Sequence, residues 1–116
     1  MRRDSAADSP AGRAAWDVLS PGLPFVVAKR AGAGPGGSVV FEITGARERT
    51  AAVSVDERGR GALVEPPAEP TARIGLDWED YIRLAAGRCD AAEVKAAVEG
   101  DTELAERVLR NMAVTP

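Results

Sequence analysis

Apolar and polar residues alternate with a period of two over much of the chain between residues 38 and 76. This period is typical of half-buried β-strands, and in the first run it places Val39, Phe41 and Ile43 on one face. Three such runs and a short apolar run at Gly61–Glu65 are joined by short links, such as the turn Asp56–Gly59. Short links favour antiparallel pairing, because parallel neighbours need long crossovers. The predicted strands are residues 38–44, 51–56, 61–65 and 71–76.

Directly after the fourth run the period becomes helical. Asp77 is placed to cap a helix, Asp80 occupies the capping-box position, and Gly87 ends the pattern. Apolar residues then recur at spacings of three and four, which predicts a helix with one buried face. That face carries Trp78, Tyr81, Ile82 and Ala85.

Two further elements are predicted towards the C-terminus. Asp90 and Glu93 can cap a single helical turn, Lys95–Glu99 is expected to form a short fifth strand, and Gly100–Asp101 begins a last helix. The inner side of that helix is predicted to carry Leu104, Val108, Leu109 and Met112. The order of elements predicts an α+β domain, in which a mainly antiparallel sheet of about five strands has helices packed on one face.

The beginning of the chain carries weaker patterns. Ser9–Pro10 is typical of a helix start, and Pro21–Gly22 is expected to end that helix. Phe25–Ala28 is a brief apolar run of no clear type. We therefore predict an N-terminal extension over residues 1–37, with a short helix and a glycine-rich loop, followed by a folded domain over residues 38–116.

The composition excludes more classes of function than classes of fold. A chain of 116 residues has the length of one typical domain. Its 15 basic and 18 acidic residues give a net charge of −3, which argues against nucleic-acid binding. No apolar run is long enough to span a membrane, and one cysteine cannot form an internal disulfide. Histidine, the commonest general base and zinc ligand, does not occur, so we expect no metal, no cofactor and no enzymatic activity.

The N-terminal residues bear on localisation. Arg2 and Arg3 are followed by Asp4 and Asp8, where an export signal would have an apolar stretch. We therefore expect a cytoplasmic protein. A reduced Cys89 is consistent with that compartment.

Three patterns have chemical interpretations, and each has a simpler one. The segment Gly32–Gly37 matches G-x-G-x-x-G, but Pro35 interrupts it and a strand follows where a phosphate-binding motif needs a helix. Cys89 has no histidine to activate it and is expected to be an ordinary packed thiol. The acidic residues Asp77, Glu79 and Asp80 are better explained as helix-capping groups than as an acid–base pair.

The C-terminal part of the chain resembles a known family. The segment Ala72–Arg88 resembles the strand–helix–Gly-Arg/Lys segment of the sterol carrier protein 2 family. Val98–Ala105 resembles that family's next signature, a strand ending in Gly-Asp or Gly-Asn before a helix with Leu-Ala. The most similar variant is the C-terminal domain of the mycothiol-dependent maleylpyruvate isomerases of actinobacteria, whose ending is similar to residues 108–116.

The resemblance covers part of the chain. It is firm over residues 71–116, compatible in pattern over residues 38–70 and absent over residues 1–37. Cys89–Val94 is an insertion relative to the family pattern. The related isomerases hold their metal ligands in a separate domain, so their metal-dependent thiol chemistry does not carry over to this chain.

The resemblance implies a tunnel between sheet and helices, in which family members bind sterols, fatty acids, fatty acyl-CoA or phospholipids. We therefore expect the protein to bind or carry a lipid or another hydrophobic small molecule without catalysis. Sheet residues would form the floor of the tunnel and helical residues its lid. The candidate lining residues are Phe41, Ile43, Val53, Val55, Ile74, Trp78, Tyr81, Ile82, Leu104, Val108 and Met112.

Two alternatives remain open at this point. The first is a ligand-free protein-interaction or dimerisation module with a filled core, an orphaned accessory domain that pairs with itself or with a mycothiol-dependent partner enzyme. The second is an enzyme that uses carboxylates and arginine in a dry pocket. A buried Asp or Glu with a raised pKa would identify such an enzyme.

Overall fold

The alternating segments form one five-stranded sheet in the computed structural model, which describes residues 20–45 and 48–112. The strands are β1 (Ser38–Thr44), β2 (Arg49–Val55), β3 (Gly61–Val64), β4 (Ala72–Asp77) and β5 (Ala97–Gly100). Their order across the sheet is β3-β2-β1-β4-β5. Neighbouring strands are antiparallel except β1 and β4, which run parallel. The predicted mainly antiparallel α+β class is confirmed, and the sheet is mixed.

The parallel pair follows from the connection between β3 and β4. Residues 65–71 lead from one edge strand, past β2 and β1, to the far side of β1. Three strand spacings of about 4.8 Å separate β3 from β4, and seven extended residues can cover that distance. Reciprocal hydrogen bonds align the two parallel strands at their starts, since Ser38 N–H donates to Thr71 Oγ1 (3.0 Å) and Thr71 N–H donates to Ser38 Oγ (3.2 Å).

In the described part of the chain, three helices and one helical turn cover one face of the sheet. The first helix, α1, is a continuous segment of changing pitch: a 3-10 turn (Ser20–Gly22), an α turn (Leu23–Phe25) and a π turn (Val26–Arg30). The others are α2 (Trp78–Ala85), a 3-10 turn (Ala91–Glu93) and α3 (Thr102–Arg110).

The N-terminal helix differs from the expectation that Pro21–Gly22 ends a helix. Pro21 lies instead in the first turn of α1, where a missing N–H group costs nothing. Leu23, Val26 and Val27 on this helix are buried in the same core as the sheet. The predicted helix start at Ser9–Pro10 lies outside the described residues, and the division into residues 1–37 and 38–116 stays a prediction.

The capping predictions are confirmed for the later elements, with one change. The Asp77 carboxylate accepts a hydrogen bond from Glu79 N–H (3.0 Å) and caps α2. Asp80 forms an ion pair with Arg83 (3.6 Å) where a capping box was expected, because that cation lies one helical turn further on.

Helix α2 ends as predicted at Gly87. Gly87 has a φ of +74°, and Arg88 N–H donates to the Arg83 carbonyl oxygen (2.7 Å), which is the hydrogen bond of a Schellman turn. The next turn and the last helix also carry their predicted caps: Asp90 and Glu93 form a reciprocal capping box, and Asp101 accepts from Leu104 N–H (3.0 Å).

Part of the face of the sheet opposite the helices is also covered. Val40 and Ala52 point to that face and are nevertheless fully buried. The connection over residues 65–71 lies across it, since Arg73 on this face donates to the Ala68 carbonyl oxygen (3.3 Å) and to Glu42 Oε2 (3.4 Å). A proline-rich strand connection therefore acts as a second layer.

Substituting Gly100 by alanine is expected to destabilise the junction between β5 and α3 by at least about 1–2 kcal/mol. Gly100 has a φ of +83°, which costs other residues about that much, and a Cβ would lie 2.5 Å from the Thr71 carbonyl oxygen. Gly34→Ala is the matched control, because a Cβ there meets no atom within 4 Å. Urea denaturation measures both variants, and equal midpoints would contradict the assignment.

Candidate functional site

Two adjoining clefts lie at the side of the helical layer, between the end of α3 and the segment that joins α2 to β5. Their volumes are about 360 Å³ and 470 Å³, within the range typical of small-molecule sites. Both are lined by Ala91, Ala92, Leu109 and Arg110, so the 3-10 turn forms the ridge between them. Val94, Ala96, Val98 and Glu106 complete the first cleft, and Leu84, Gly87, Cys89 and Asp90 complete the second.

Local sequence features hold this wall in place. The Schellman turn at Gly87 reverses the chain at the end of α2, and the capping box of Asp90 and Glu93 closes the 3-10 turn through a hydrogen bond from Asp90 N–H to Glu93 Oε1 (2.9 Å). On the other side, the Arg107 Nε–H group donates to the Ala31 carbonyl oxygen (2.8 Å), which ties α3 to the end of α1. The clefts are thus bounded by fixed backbone on both sides.

The floor of the clefts is apolar, and their rim carries charged residues. Leu84 and Leu109 are buried and form the floor, whereas the alanines of the turn leave room because their side chains are short. Glu106 and Arg110 lie one helical turn apart on the exposed side of α3. An apolar floor with a few polar groups at the edge is the usual composition of a site for a small amphiphile.

The residues predicted to line a tunnel all belong to the layer beneath the clefts. Ten of the eleven are buried in one continuous core, and Ile82 is partly buried against it. Those on the sheet lie on the face covered by the helices, and those on α2 and α3 lie on the inner helical faces. None of the eleven lines either cleft. The structure brings the predicted floor and lid together, and their contact with a ligand stays a prediction.

Tyr81 is the most polar of these interior residues. Its side chain is fully buried, and its ring lies 6.2 Å from that of Trp78, measured between centroids. Burial raises the pKa of Tyr81 far above its ordinary value, because the phenolate would lose its hydration.

The acidic side chains of residues 20–45 and 48–112 lie at or near the surface of the protein. Every Asp and Glu in these ranges is at least partly exposed, so this part of the chain holds no buried carboxylic acid. It also contains no cluster of three or more histidine, cysteine or acidic side chains positioned to bind a metal ion. No helix there is both long and apolar enough to cross a membrane.

The residues that line the clefts are not among the eleven lining residues predicted from the sequence. Ala91 and Ala92 belong to the insertion Cys89–Val94, and their small size between two capping groups is the signal that could have indicated a cleft. Leu84 and Leu109 fit the ordinary helical spacing of apolar residues, which predicts core positions and gives no sign of a cleft.

No family model matches the sequence, and no curated protein is significantly similar to it. The sterol carrier protein 2-like 2 structure from Aedes aegypti has a TM-score of 0.60 at 15% identity, covering 84% of this chain and 95% of that chain. The sterol carrier protein domain 2 of Helicoverpa armigera has a TM-score of 0.58 at 15% identity and covers 100% and 98%.

A third solved structure has a similar architecture. The UbiJ-SCP2 ubiquinone synthesis protein has a TM-score of 0.53 at 13% identity, covering 84% of this chain and 90% of that chain. The five-stranded sheet and its helical layer therefore define an α+β domain of known architecture. The protein has a sterol carrier protein 2-like fold.

Proposed function

We propose that the protein binds and carries a lipid or another hydrophobic small molecule without catalysing a reaction. The observation that carries this proposal is the pair of adjoining clefts, which have apolar floors and share Ala91, Ala92, Leu109 and Arg110. The fold supports it, because two of the structures with similar architecture are named sterol carrier proteins.

The clefts suit an amphiphile with one long apolar part. A chain placed over Leu84, Leu109 and Val98 is withdrawn from water and gains about 25 cal/mol per Å² of apolar surface buried. The polar end of the ligand lies at the rim, within reach of Glu106 and Arg110. No group in this arrangement has to react for the ligand to be held.

The clefts also offer a route to the interior. Leu109 lies on α3 three residues before the buried Met112, and Leu84 lies one turn after Tyr81 on α2. Rotation of the two leucine side chains would extend the clefts towards the layer between sheet and helices. We propose that the eleven sequence-predicted residues line this deeper part.

The biological setting is part of the same proposal. The resemblance of residues 71–116 to the accessory domain of mycothiol-dependent maleylpyruvate isomerases supports a cytoplasmic actinobacterial protein. In that setting the carried molecule would be a hydrophobic intermediate or lipid. Residues 38–116 would then form the carrier domain, with residues 1–37 as its extension.

One observation favours a second candidate function. The interior layer is continuous, and none of the predicted lining residues reaches a cleft. A filled core is what a ligand-free interaction or dimerisation module would have. Native mass spectrometry separates the two candidates, since a co-purified lipid supports carriage and a ligand-free dimer supports the module.

A bulky side chain on the ridge between the two clefts would fill them and so tests the proposed site directly. Ala92 is exposed and lines both clefts, so Ala92→Trp occupies them without disturbing the core. We expect the variant to bind fluorescently labelled palmitate at least about tenfold more weakly, a loss of about 1.4 kcal/mol of binding free energy. Fluorescence titration measures it.

The matched control is Ala62→Trp, because Ala62 is an exposed alanine on β3 at the other edge of the sheet. That variant should bind as the unmodified protein does. Cys89 is the only cysteine in the chain and lines the second cleft, so bound palmitate should also slow its reaction with Ellman's reagent. Unchanged palmitate affinity in Ala92→Trp, with unchanged Cys89 reactivity, would refute binding at the clefts.

A further inference from the structure

The edge strand β5 is exposed, and in the described sheet it has a neighbouring strand on one side alone. Three of its four residues, Ala97, Glu99 and Gly100, are exposed. An edge of this kind presents unpaired backbone N–H and C=O groups, on which a further strand can form. The opposite edge strand, β3, is less suited to this, because Pro66 and Pro67 follow it and cannot donate hydrogen bonds.

The backbone groups that point to the free edge of β5 follow from the ladder between β4 and β5. Asp101 N–H donates to the Thr71 carbonyl oxygen (2.9 Å), so this N–H group points towards β4. In an antiparallel pair the residues alternate between pointing towards the partner strand and pointing away from it. The N–H and C=O groups of Ala96 and Val98 therefore point to the free edge.

The sequence around Ala97 is complementary to itself for pairing at this edge. A two-fold axis perpendicular to the sheet and beside Ala97 places Lys95 of one copy opposite Glu99 of a second copy. The same axis places Ala96 opposite Val98, and these are the residues whose backbone groups point outward. One register therefore satisfies both the hydrogen bonds and the charges, and each interaction occurs twice.

The charges of Lys95 and Glu99 are available for such pairs. In the described part of the chain neither residue forms an ion pair. Arg73 lies opposite Glu99 on β4, but its guanidinium donates to Glu42 Oε2 (3.4 Å) and to the Ala68 carbonyl oxygen (3.3 Å). Charged residues on an edge strand usually oppose pairing, whereas two charges of opposite sign at this spacing favour it in one register.

The segment that can pair has defined ends. Val94 is extended (φ −112°, ψ 156°) and directly follows the 3-10 turn, and Gly100 has a φ of +83° where the chain turns into α3. Glu93 and Asp101 lie just beyond these ends and would be opposite each other in the dimer. Their carboxylates already accept hydrogen bonds as helix caps. Pairing therefore extends over residues 94–100 of each copy.

We propose that two copies of the chain pair through their β5 edges in antiparallel orientation, which joins two five-stranded sheets into one continuous sheet. The partner is a second copy because one strand carries both halves of the charge pair. Ala96 and Val98 also line the first cleft, so the first clefts of the two copies lie side by side across the axis. The inference goes beyond the proposed function and does not depend on it, since neither Lys95 nor Glu99 lines a cleft.

Sedimentation velocity at increasing protein concentration tests the proposal. We expect a monomer–dimer equilibrium at about 10–500 µM protein, because a short strand pair buries less surface than a standard stable interface. Lys95→Glu and Glu99→Lys should each weaken the dimer at least about tenfold, since like charges then lie opposite each other at both pairs. Both positions are exposed, so each variant should keep its fold.

The sharpest control restores the complementary charges. The double variant Lys95→Glu/Glu99→Lys exchanges the two charges and should dimerise as the unmodified protein does. An equimolar mixture of the two single variants should form a heterodimer, because every pair is again of opposite sign. Glu57→Lys changes an exposed acid in the turn between β2 and β3, at the other edge of the sheet, and should leave the dimer unchanged.

Three outcomes would overturn the proposal. The first is a protein that stays monomeric over the whole concentration range. The second is a dimer with the same dissociation constant in both single variants, since it would use another surface. The third is a dimer that the single variants weaken but that neither the double variant nor the mixture restores, because the charges would then act without this register.

The dimer and the ligand site can fail separately. A protein that dimerises through β5 but does not bind labelled palmitate leaves the interface standing and refutes binding at the clefts. A monomer that binds palmitate refutes the interface and leaves the ligand site standing.

Discussion

Replacing Phe41 by alanine is expected to lower the free energy of unfolding by about 3–5 kcal/mol, a large part of the stability of a domain of this size. Phe41 lies in the central strand β1 and is fully buried between β2, β4 and the helical layer. The substitution removes its ring from the core and leaves a cavity that the surrounding strands cannot close, because their positions are fixed by hydrogen bonds on both sides. Urea denaturation followed by circular dichroism measures the loss.

Phe25→Ala is the matched control, because the chain contains just these two phenylalanines and Phe25 is mostly exposed. It should cost less than about 1 kcal/mol. The pair also measures how tightly the two layers meet. A cost below about 1 kcal/mol for Phe41→Ala would mean that the interior is slack, contradicting the packed core and favouring a tunnel that is open without ligand.

Strands and caps were largely predictable because their signals are local. Val39, Phe41 and Ile43 share the buried face that their period of two predicts, and the Asp90–Glu93 pair forms the predicted capping box. Each of these features depends on residues within a few positions of one another. Such features form in nearly the same way whatever the rest of the fold does.

The N-terminal helix was not predictable in the same way. Proline is compatible with both the end of a helix and its first turn, so Pro21 and Pro24 alone could not decide between them. The deciding interaction is tertiary. Leu23, Val26 and Val27 are buried against the sheet, and this burial stabilises a helix whose own sequence favours it weakly.

The second layer of the sheet also depends on topology. The period of two places Val40 on the face opposite Phe41, together with Glu42 and Thr44, which are exposed, yet Val40 is fully buried. Its burial requires that residues 65–71 cross that face, which in turn requires β4 to pair with β1 and not with β3. Strand order is a property of the whole chain and could not be derived from the spacing of residues.

The residues of the candidate site could not be derived from residue spacing either. The eleven predicted residues were selected because they are apolar and periodic, and those criteria identify a core. A cleft arises where packing is incomplete, and here it arises because the short side chains of Ala91 and Ala92 meet Leu109 across the space between two separately capped elements. The residues with the least conspicuous pattern therefore line the candidate site.

Raising the pH above about 10 is expected to lower the free energy of unfolding progressively, and the buried Tyr81 is the group expected to cause this loss. In an unfolded chain tyrosine loses its proton near pH 10, whereas burial holds the pKa of Tyr81 well above that value in the folded state. Above pH 10 the unfolded chain therefore binds fewer protons than the folded chain. Stability is unaffected by Tyr81 below that pH and falls by about 1.4 kcal/mol for each pH unit above it.

The measurement is direct because Tyr81 is the only tyrosine in the chain. Tyrosinate absorbance in the ultraviolet then reports this residue alone, and it should appear together with the loss of the circular dichroism signal, in one transition. Tyr81→Phe keeps the ring and removes the ionising group, so it should retain its fold to higher pH. Tyrosinate that forms near pH 10 while the circular dichroism stays native would show that water reaches the Tyr81 hydroxyl, and that the layer between sheet and helices is already open.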